Sequence, residues 1–228
     1  MGNDWYDHDR NEHRDRREWL SGKPPKPYND RLPEPEPSLW KDFDRYLSLR
    51  NLSPGIARAN LWYPSRSAGD DAPRIVIPAT SSVSANKFWQ ARVMGGALGF
   101  SPVRYQSPHG CRSGDAIIVV WPGNPGSIGY RASTVVEGPM DALAAAEAGI
   151  IGVALMGASP PPERIDLTVK LVRGTICYVV IDSDQPAALV AVMSQLSNLG
   201  VQCRLRDPSP AKDLADLSLS RRKQLLSD

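Results

Sequence analysis

Three groups of acidic residues near the end of the chain have the types and spacing for metal chemistry. They are Glu137-Gly138-Pro139-Met140-Asp141, Asp182-Ser183-Asp184, and Lys212-Asp213 with Asp216 three residues on. The first two follow apolar, β-rich runs, Thr134-Val135-Val136 and Ile176-Cys177-Tyr178-Val179-Val180-Ile181. In an open parallel α/β sheet, residues leaving the carboxyl ends of neighbouring strands gather at one edge, where such folds bind ligands. Carboxylates gathered there repel one another unless a hard cation neutralises them. The chemistry that suits such a pocket is metal-assisted phosphoryl transfer. Asp141 has a simpler role open to it, as a first-turn acid that offsets the dipole of its helix.

The elements that must position these acids follow from periodicity and punctuation. From Tyr130 onward β and α segments alternate: strand Thr134–Val136, helix Pro139–Ala148 stopped by Gly149, strand Ile150–Leu155, and a short helix around Pro162–Val172. Strand Thr175–Ile181, helix Pro186–Leu199 stopped by Gly200, strand Val201–Leu205 and a short helix from Leu214 to Leu226 complete the series. That alternation predicts a compact parallel α/β domain over residues 130–217, with 218–228 as a terminal helix or tail. Residues 39–129 have a different texture. A helical pattern from Leu39 is broken at Asn51-Leu52-Ser53-Pro54, where Ser53 caps a second helix through Ala59. Short strand-like runs follow at Arg74–Pro78, Lys87–Val93 and Ala116–Trp121, predicting a small α+β lobe with an antiparallel sheet. Residues 1–38 mix charges and are rich in proline, the composition of an extended or mobile tail.

Charge is distributed unevenly although the net charge is only +2. No acid occurs from Ala72 to Gly114, where Arg74, Lys87, Arg92, Arg104 and Arg112 are all basic. From Glu137 to Asp216 acids outnumber bases by ten to six. A basic lobe followed by an acidic pocket suits a polyanion held near bound cations. Cysteine chemistry is less promising. Cys111, Cys177 and Cys203 lack the paired spacing of a zinc site, His109 with Cys111 has no second pair, and Cys177 reads as a small core residue. No zinc is expected. No run approaches a membrane span, and the first residues lack the layout of a secretory signal.

Val135–Leu143, Val153–Gly157, Val180–Asp184 and Lys212-Asp213 together resemble the Toprim domain of primases, topoisomerases and some nucleases. A second resemblance precedes it. Arg74–Pro78, Phe88–Arg92 and Arg104-Tyr105-Gln106-Ser107-Pro108 are similar to the basic lobe ahead of Toprim in bacterial and phage-type DNA primases. The last motif departs from the family pattern, with Arg104 in place of a lysine and one residue fewer at Gln106. Residues Ser183 and Gln185-Pro186-Ala187 also depart from the family's glycine and alanine-glycine pattern. The chain shows neither the family's zinc-binding module nor a helicase-type Gly-x-x-x-x-Gly-Lys-Ser/Thr loop.

The resemblance implies the RNA polymerase domain of a primase, a nucleotidyltransferase of DNA replication. It implies Asp182, Asp184 and Asp213 as ligands of Mg²⁺ or Mn²⁺, and Glu137 as a further ligand or the group handling a hydroxyl proton. Arg92, Arg104, Tyr105 and Gln106 are the expected contacts to template and nucleotide. Lys87 and Lys212 are further candidates, the latter either touching phosphate or neutralising its neighbouring acid. Arg74 reads as solvated surface at a strand end, and Trp89 as core. The implied partners are a single-stranded DNA template, ribonucleoside triphosphates, and a replicative helicase or separate template-recognition protein. The implied setting is the cytoplasm of a bacterium or phage-infected host. A Toprim nuclease and a non-catalytic nucleic-acid-binding protein of the same fold are the alternatives.

Overall fold

A computed structural model describes residues 31–69, 71–82, 88–95, 103–108, 116–123, 130–157, 159–182 and 186–227. The chain enters through a 3₁₀ turn, Pro37–Leu39, into α1 (Trp40–Leu49) and α2 (Pro54–Ala59). Ser53 Oγ accepts the Ile56 N–H at 3.2 Å, the cap that its position before proline predicts. Four strands then build an antiparallel sheet in the order β1 (Tyr63–Ser65), β2 (Arg74–Pro78), β4 (Trp89–Val93) and β5 (Tyr105–Gln106). Residues 31–36, read as part of a tail, run beside β1 instead. Glu36 N–H donates to Pro64 O, Ser65 Oγ to Glu34 O and Tyr63 Oη to Pro33 O. Prolines fit an edge that has few ladder bonds to lose.

The second sheet has six strands in the order β10-β9-β7-β8-β6-β3, comprising β3 (Ser81–Ser82), β6 (Ala116–Val120), β7 (Ala132–Val136), β8 (Ile151–Ala154), β9 (Ile176–Val180) and β10 (Cys203–Leu205). The four strands β10, β9, β7 and β8 are parallel, while β6 and β3 extend the sheet antiparallel beyond β8. The sheet is therefore mixed and mostly parallel. The apolar run at Ala116, read as a strand of the basic lobe, pairs with β8 because both of its faces are apolar and only a doubly covered position buries both.

Helices cover both faces of the larger sheet. On one side lies α3 (Pro139–Glu147), which packs in a single core with α1, α2, the inner face of β2 and α6 (Leu219–Leu225). The lobe and the larger sheet thus share a continuous interior. On the other side α4 (Pro162–Val172) and α5 (Pro186–Asn198) contribute Ile165, Val169, Val172, Val192 and Leu196 to a second core. The contact between α3 and β8 depends on Gly152, where an added Cβ would lie 2.1 Å from the Ala142 carbonyl oxygen. Gly149, at φ +90, ends α3 in the left-handed conformation expected of a helix stop. The final helix starts later than the expected Leu214, because residues 214–217 form a turn with other partners and Ser218 caps the helix. Among the described residues no helix is long and apolar enough to cross a membrane.

Candidate metal centre

Register brings the first two acidic groups to one edge. Val136 at the end of β7 pairs with Val180 at the end of the parallel neighbour β9, so Glu137 leaves the sheet level with Ile181, one residue before Asp182, and it is not among the clustered carboxylates of the described residues. After β7 the chain turns through Glu137-Gly138 into α3, placing Asp141 in the first turn of that helix. The third group arrives on the loop between β10 and α6. There Asp213 Oδ1 accepts the Asp216 N–H at 2.9 Å, and the Ala215 N–H reaches Asp141 Oδ1 at 2.9 Å.

Among the described residues, the carboxylates that come together are Asp141, Asp182 and Asp213, each offering an oxygen within 4.8 Å of the others. Two full negative charges at that separation repel by about 3 kcal/mol at an effective dielectric of about 20. Asp141 feels this most. Burial and then the Asp213 and Asp182 charges push its carboxyl up to about 8, against the opposing pull of the Ala215 N–H and the Arg92 charge. Lys212 Nζ stands 4.0 Å from Asp182 Oδ2, but the lysine is exposed and its charge is correspondingly screened. Hard oxygen donors crowded together without imidazole or sulfur are the donor set that a divalent cation of the Mg²⁺ class fits.

The basic lobe meets this pocket through Arg92 on β4. Its side chain is buried; Nε donates to Tyr46 Oη at 2.6 Å and Nη1 to Tyr105 Oη at 2.8 Å. The guanidinium also lies over the Tyr105 ring, 5.2 Å from its centroid. Arg92 is therefore a cation held by α1 and β5 in the field of Asp141, not one displayed on the surface.

The other expected contacts separate. Arg104 is exposed and Tyr105 half-buried. Gln106 lies against the backbone of Gly69, where an added Cβ would fall 1.6 Å from Gln106 Oε1. Arg74, read as solvated surface, is fully buried, and its guanidinium donates to Ala91 O at 3.2 Å and Val103 O at 3.0 Å. An interior strand gives it no route to water, so backbone carbonyls take its donors. Trp89 is core, and Cys177 is buried opposite Cys203 in the β9–β10 ladder. Lys87 and Asp184, like His109, Cys111 and Arg112, lie outside the described residues.

Sequence reasoning passed over Asp141 as a site residue. An acid in the first turn of a helix has an ordinary electrostatic explanation, and the spacing does not reveal that a loop seventy-four residues away donates to it. A signal did exist: the helix is apolar all round from Pro139 to Ala146 except at Asp141. A lone carboxylate on a helix without a wet face needs a partner.

The chain carries a Toprim-like domain. The Toprim-like family model matches residues 134–218, the segment that holds all three clustered aspartates. The RNA polymerase domain of Mycobacterium tuberculosis primase DnaG superposes with a TM-score of 0.59 at 16% identity, covering 82% of this chain and 75% of that one. The E. coli primase catalytic core gives a TM-score of 0.58 at 18% identity, with 81% and 71% covered. The primase fragment of the bacteriophage T7 primase-helicase protein gives 0.54 at 14%, with 78% and 69% covered. These matches extend over the basic lobe as well as the Toprim-like domain, and at such identities they show a shared fold. No curated protein matches the chain by sequence.

Proposed function

We propose that this chain is the catalytic core of a DNA primase, joining ribonucleotides into short primers on single-stranded DNA. The observation that carries the reading is the convergence of Asp141, Asp182 and Asp213 at the edge of the Toprim-like sheet, with Arg92 of the basic lobe held in the field of the same pocket. A neighbour of the same fold is a DnaG primase catalytic domain bound to single-stranded DNA, which supports the template class. Another comes from the structure of bacteriophage T7 lagging-strand DNA polymerase interacting with primase domains of two gp4 subunits bound to an RNA/DNA hybrid and dTTP, which supports a nucleic-acid setting of template and primer.

In this reading a primer 3′-hydroxyl attacks the α-phosphate of an incoming ribonucleotide, the new phosphodiester bond forms, and pyrophosphate leaves. Asp141, Asp182 and Asp213, together with Asp184 of the same acidic motif as Asp182, would hold Mg²⁺ or Mn²⁺, which would supply charge neutralisation to the reacting phosphate. Glu137, leaving β7 at the same edge, is either a further ligand or the acceptor of the hydroxyl proton. Arg92, oriented by Tyr46 and Tyr105, lends positive charge to the pocket from inside the lobe, and Lys212 adds positive charge at the rim. Arg104 and Tyr105 line the approach of the template, Lys87 and Gln106 belong to the same lobe, and a helicase or separate recognition protein supplies what selects the start site.

The test is incubation of the full chain with single-stranded DNA, labelled ribonucleotides and Mg²⁺ or Mn²⁺. Short products that vanish in Asp182→Ala are expected. Shortening of labelled DNA without nucleotide incorporation would instead identify a nuclease. Binding of single-stranded DNA unchanged by Asp182→Ala, with no turnover under any metal, would identify a non-catalytic protein.

A further inference from the structure

Arg222 lies on α6, four residues past the end of the Toprim-like match, and its side chain is fully buried. Burying a guanidinium is costly unless its donors are taken, and here they are. Nε donates to Leu214 O at 3.2 Å, Nη2 to Ala215 O at 2.7 Å, and Nη1 to Asn51 O at 3.0 Å. Nη1 also pairs with the carboxylate of Glu147, on the same helix as Asp141.

Two of these bonds matter for the pocket. Leu214 O and the Ala215 N–H belong to one peptide group. Arg222 holds that group by its oxygen, and the same group donates its N–H to Asp141 Oδ1 at 2.9 Å. The peptide lies one residue beyond Asp213, inside the turn that the Asp216 N–H closes onto Asp213 Oδ1 at 2.9 Å, so holding it restrains both that turn and the bond that orients Asp141. Hydrogen bonds in series polarise one another, and the guanidinium charge strengthens the far end of this one. Through Glu147 the arginine also ties the loop to the helix that carries Asp141. Lysine cannot reproduce the arrangement, because its three donors radiate from one point whereas the planar guanidinium spans three carbonyls and a carboxylate.

We infer that Arg222 is a positioning residue for the cation site: it clamps the Leu214–Ala215 peptide so that Asp213 and Asp141 meet Asp182. The inference rests on the cation-site reading above. It places a determinant of that site on a helix outside the matched domain, and predicts that cation binding depends on α6 through this one side chain.

A control is available in Arg206, which also secures the C-terminal segment, donating to Leu225 O at 2.7 Å and Ser227 O at 3.1 Å. Those contacts involve neither Leu214 nor Ala215. Full-length Arg222→Lys, Arg222→Met and Arg206→Met are compared for Mn²⁺ affinity by electron paramagnetic resonance titration. Amide hydrogen exchange at Ala215 and Asp216 is measured in parallel without metal, and circular dichroism reports folding. Both Arg222 variants are expected to bind Mn²⁺ about 10- to 100-fold more weakly, the range seen when a partner that orients a metal ligand is lost. Their Ala215 amide exchanges faster, while Arg206→Met matches the parent in both measurements.

A folded Arg222→Lys with parental Mn²⁺ affinity and parental Ala215 exchange overturns the inference. If the parent itself binds no Mn²⁺, the cation reading falls, and Ala215 exchange alone decides whether Arg222 positions the loop: faster exchange supports it, unchanged exchange overturns it. If neither Arg222 variant folds, Glu147→Gln loosens the clamp while keeping the arginine, and the same exchange measurement decides.

Discussion

The acidic edge and the basic lobe handle their charges in opposite ways. At the edge of the six-stranded sheet, three carboxylates meet within 4.8 Å of one another, and burial followed by the charges of Asp213 and Asp182 pushes Asp141 far above its ordinary titration range. In the lobe, two arginines that the sequence placed at the surface are turned inward: Arg74 onto the carbonyls of Ala91 and Val103, and Arg92 onto two tyrosine hydroxyls. The asymmetry is chemical. A guanidinium is all donor and the backbone offers carbonyl acceptors everywhere, so the protein can satisfy a buried arginine from its own main chain. Clustered carboxylates are all acceptor and cannot satisfy one another. Like-charged acids held together in a fold therefore point outside the polypeptide for a partner, whereas buried arginines often point to the scaffold.

The sharpest way to break this comparison is pH. Burial and the neighbouring Asp213 and Asp182 charges push the folded carboxyl of Asp141 up to about 8, against about 3.9 in the unfolded chain. Between those values the folded state holds a proton that the unfolded chain has released, so this group's contribution is full below pH about 4 and is lost as pH rises through about 8. In metal-free buffer, denaturant midpoints should fall over that window by an amount on the order of 5 kcal/mol for this group. Asp141→Asn should flatten the dependence, and added Mn²⁺ should stabilise the parent more at pH 8 than at pH 6. A parent and Asp141→Asn with parallel pH profiles would mean that the acids do not burden one another.

Arg74→Met probes the other side. It strands the Ala91 and Val103 carbonyls and should cost about 1–3 kcal/mol in denaturant unfolding, with no change in the salt dependence of single-stranded DNA binding. A change in that salt dependence would return Arg74 to the binding surface. The smallest expected effect is at Arg104, which is exposed. Arg104→Ala should leave stability within about 0.5 kcal/mol of the parent. It should lower the slope of log affinity against log salt by about 0.7, the loss of one phosphate contact on a single strand.

Much of the fold could be read in advance where the signal is local. The Pro162–Val172 helix, the Ser53 cap, the Gly149 stop and the strands leading to Glu137 and Asp182 lie where spacing and punctuation put them. Misreadings came where the deciding partner is distant. The run at Ala116 is continuously apolar whether it edges the lobe or pairs with β8, and only the demand to cover both apolar faces chooses. Residues 214–217 have helical composition, yet the Ala215 amide is taken by Asp141 and the neighbouring carbonyls by Arg222, so the helix begins only at Leu219.

Residue types and short-range spacing were enough to settle most of the longer strands and helices, though not the short strands β1, β3 and β5, and that acids follow the strands β7 and β9. Those outcomes depend on backbone propensity, caps and periodicity, which act over a few residues. Tertiary structure alone decided which acids share a pocket, that Arg74 and Arg92 face inward, and that Arg222 reaches Asn51 across 171 positions of chain. Such pairings are chosen by burial, which acts in space, and a buried donor or acceptor takes whichever partner the packing brings within reach.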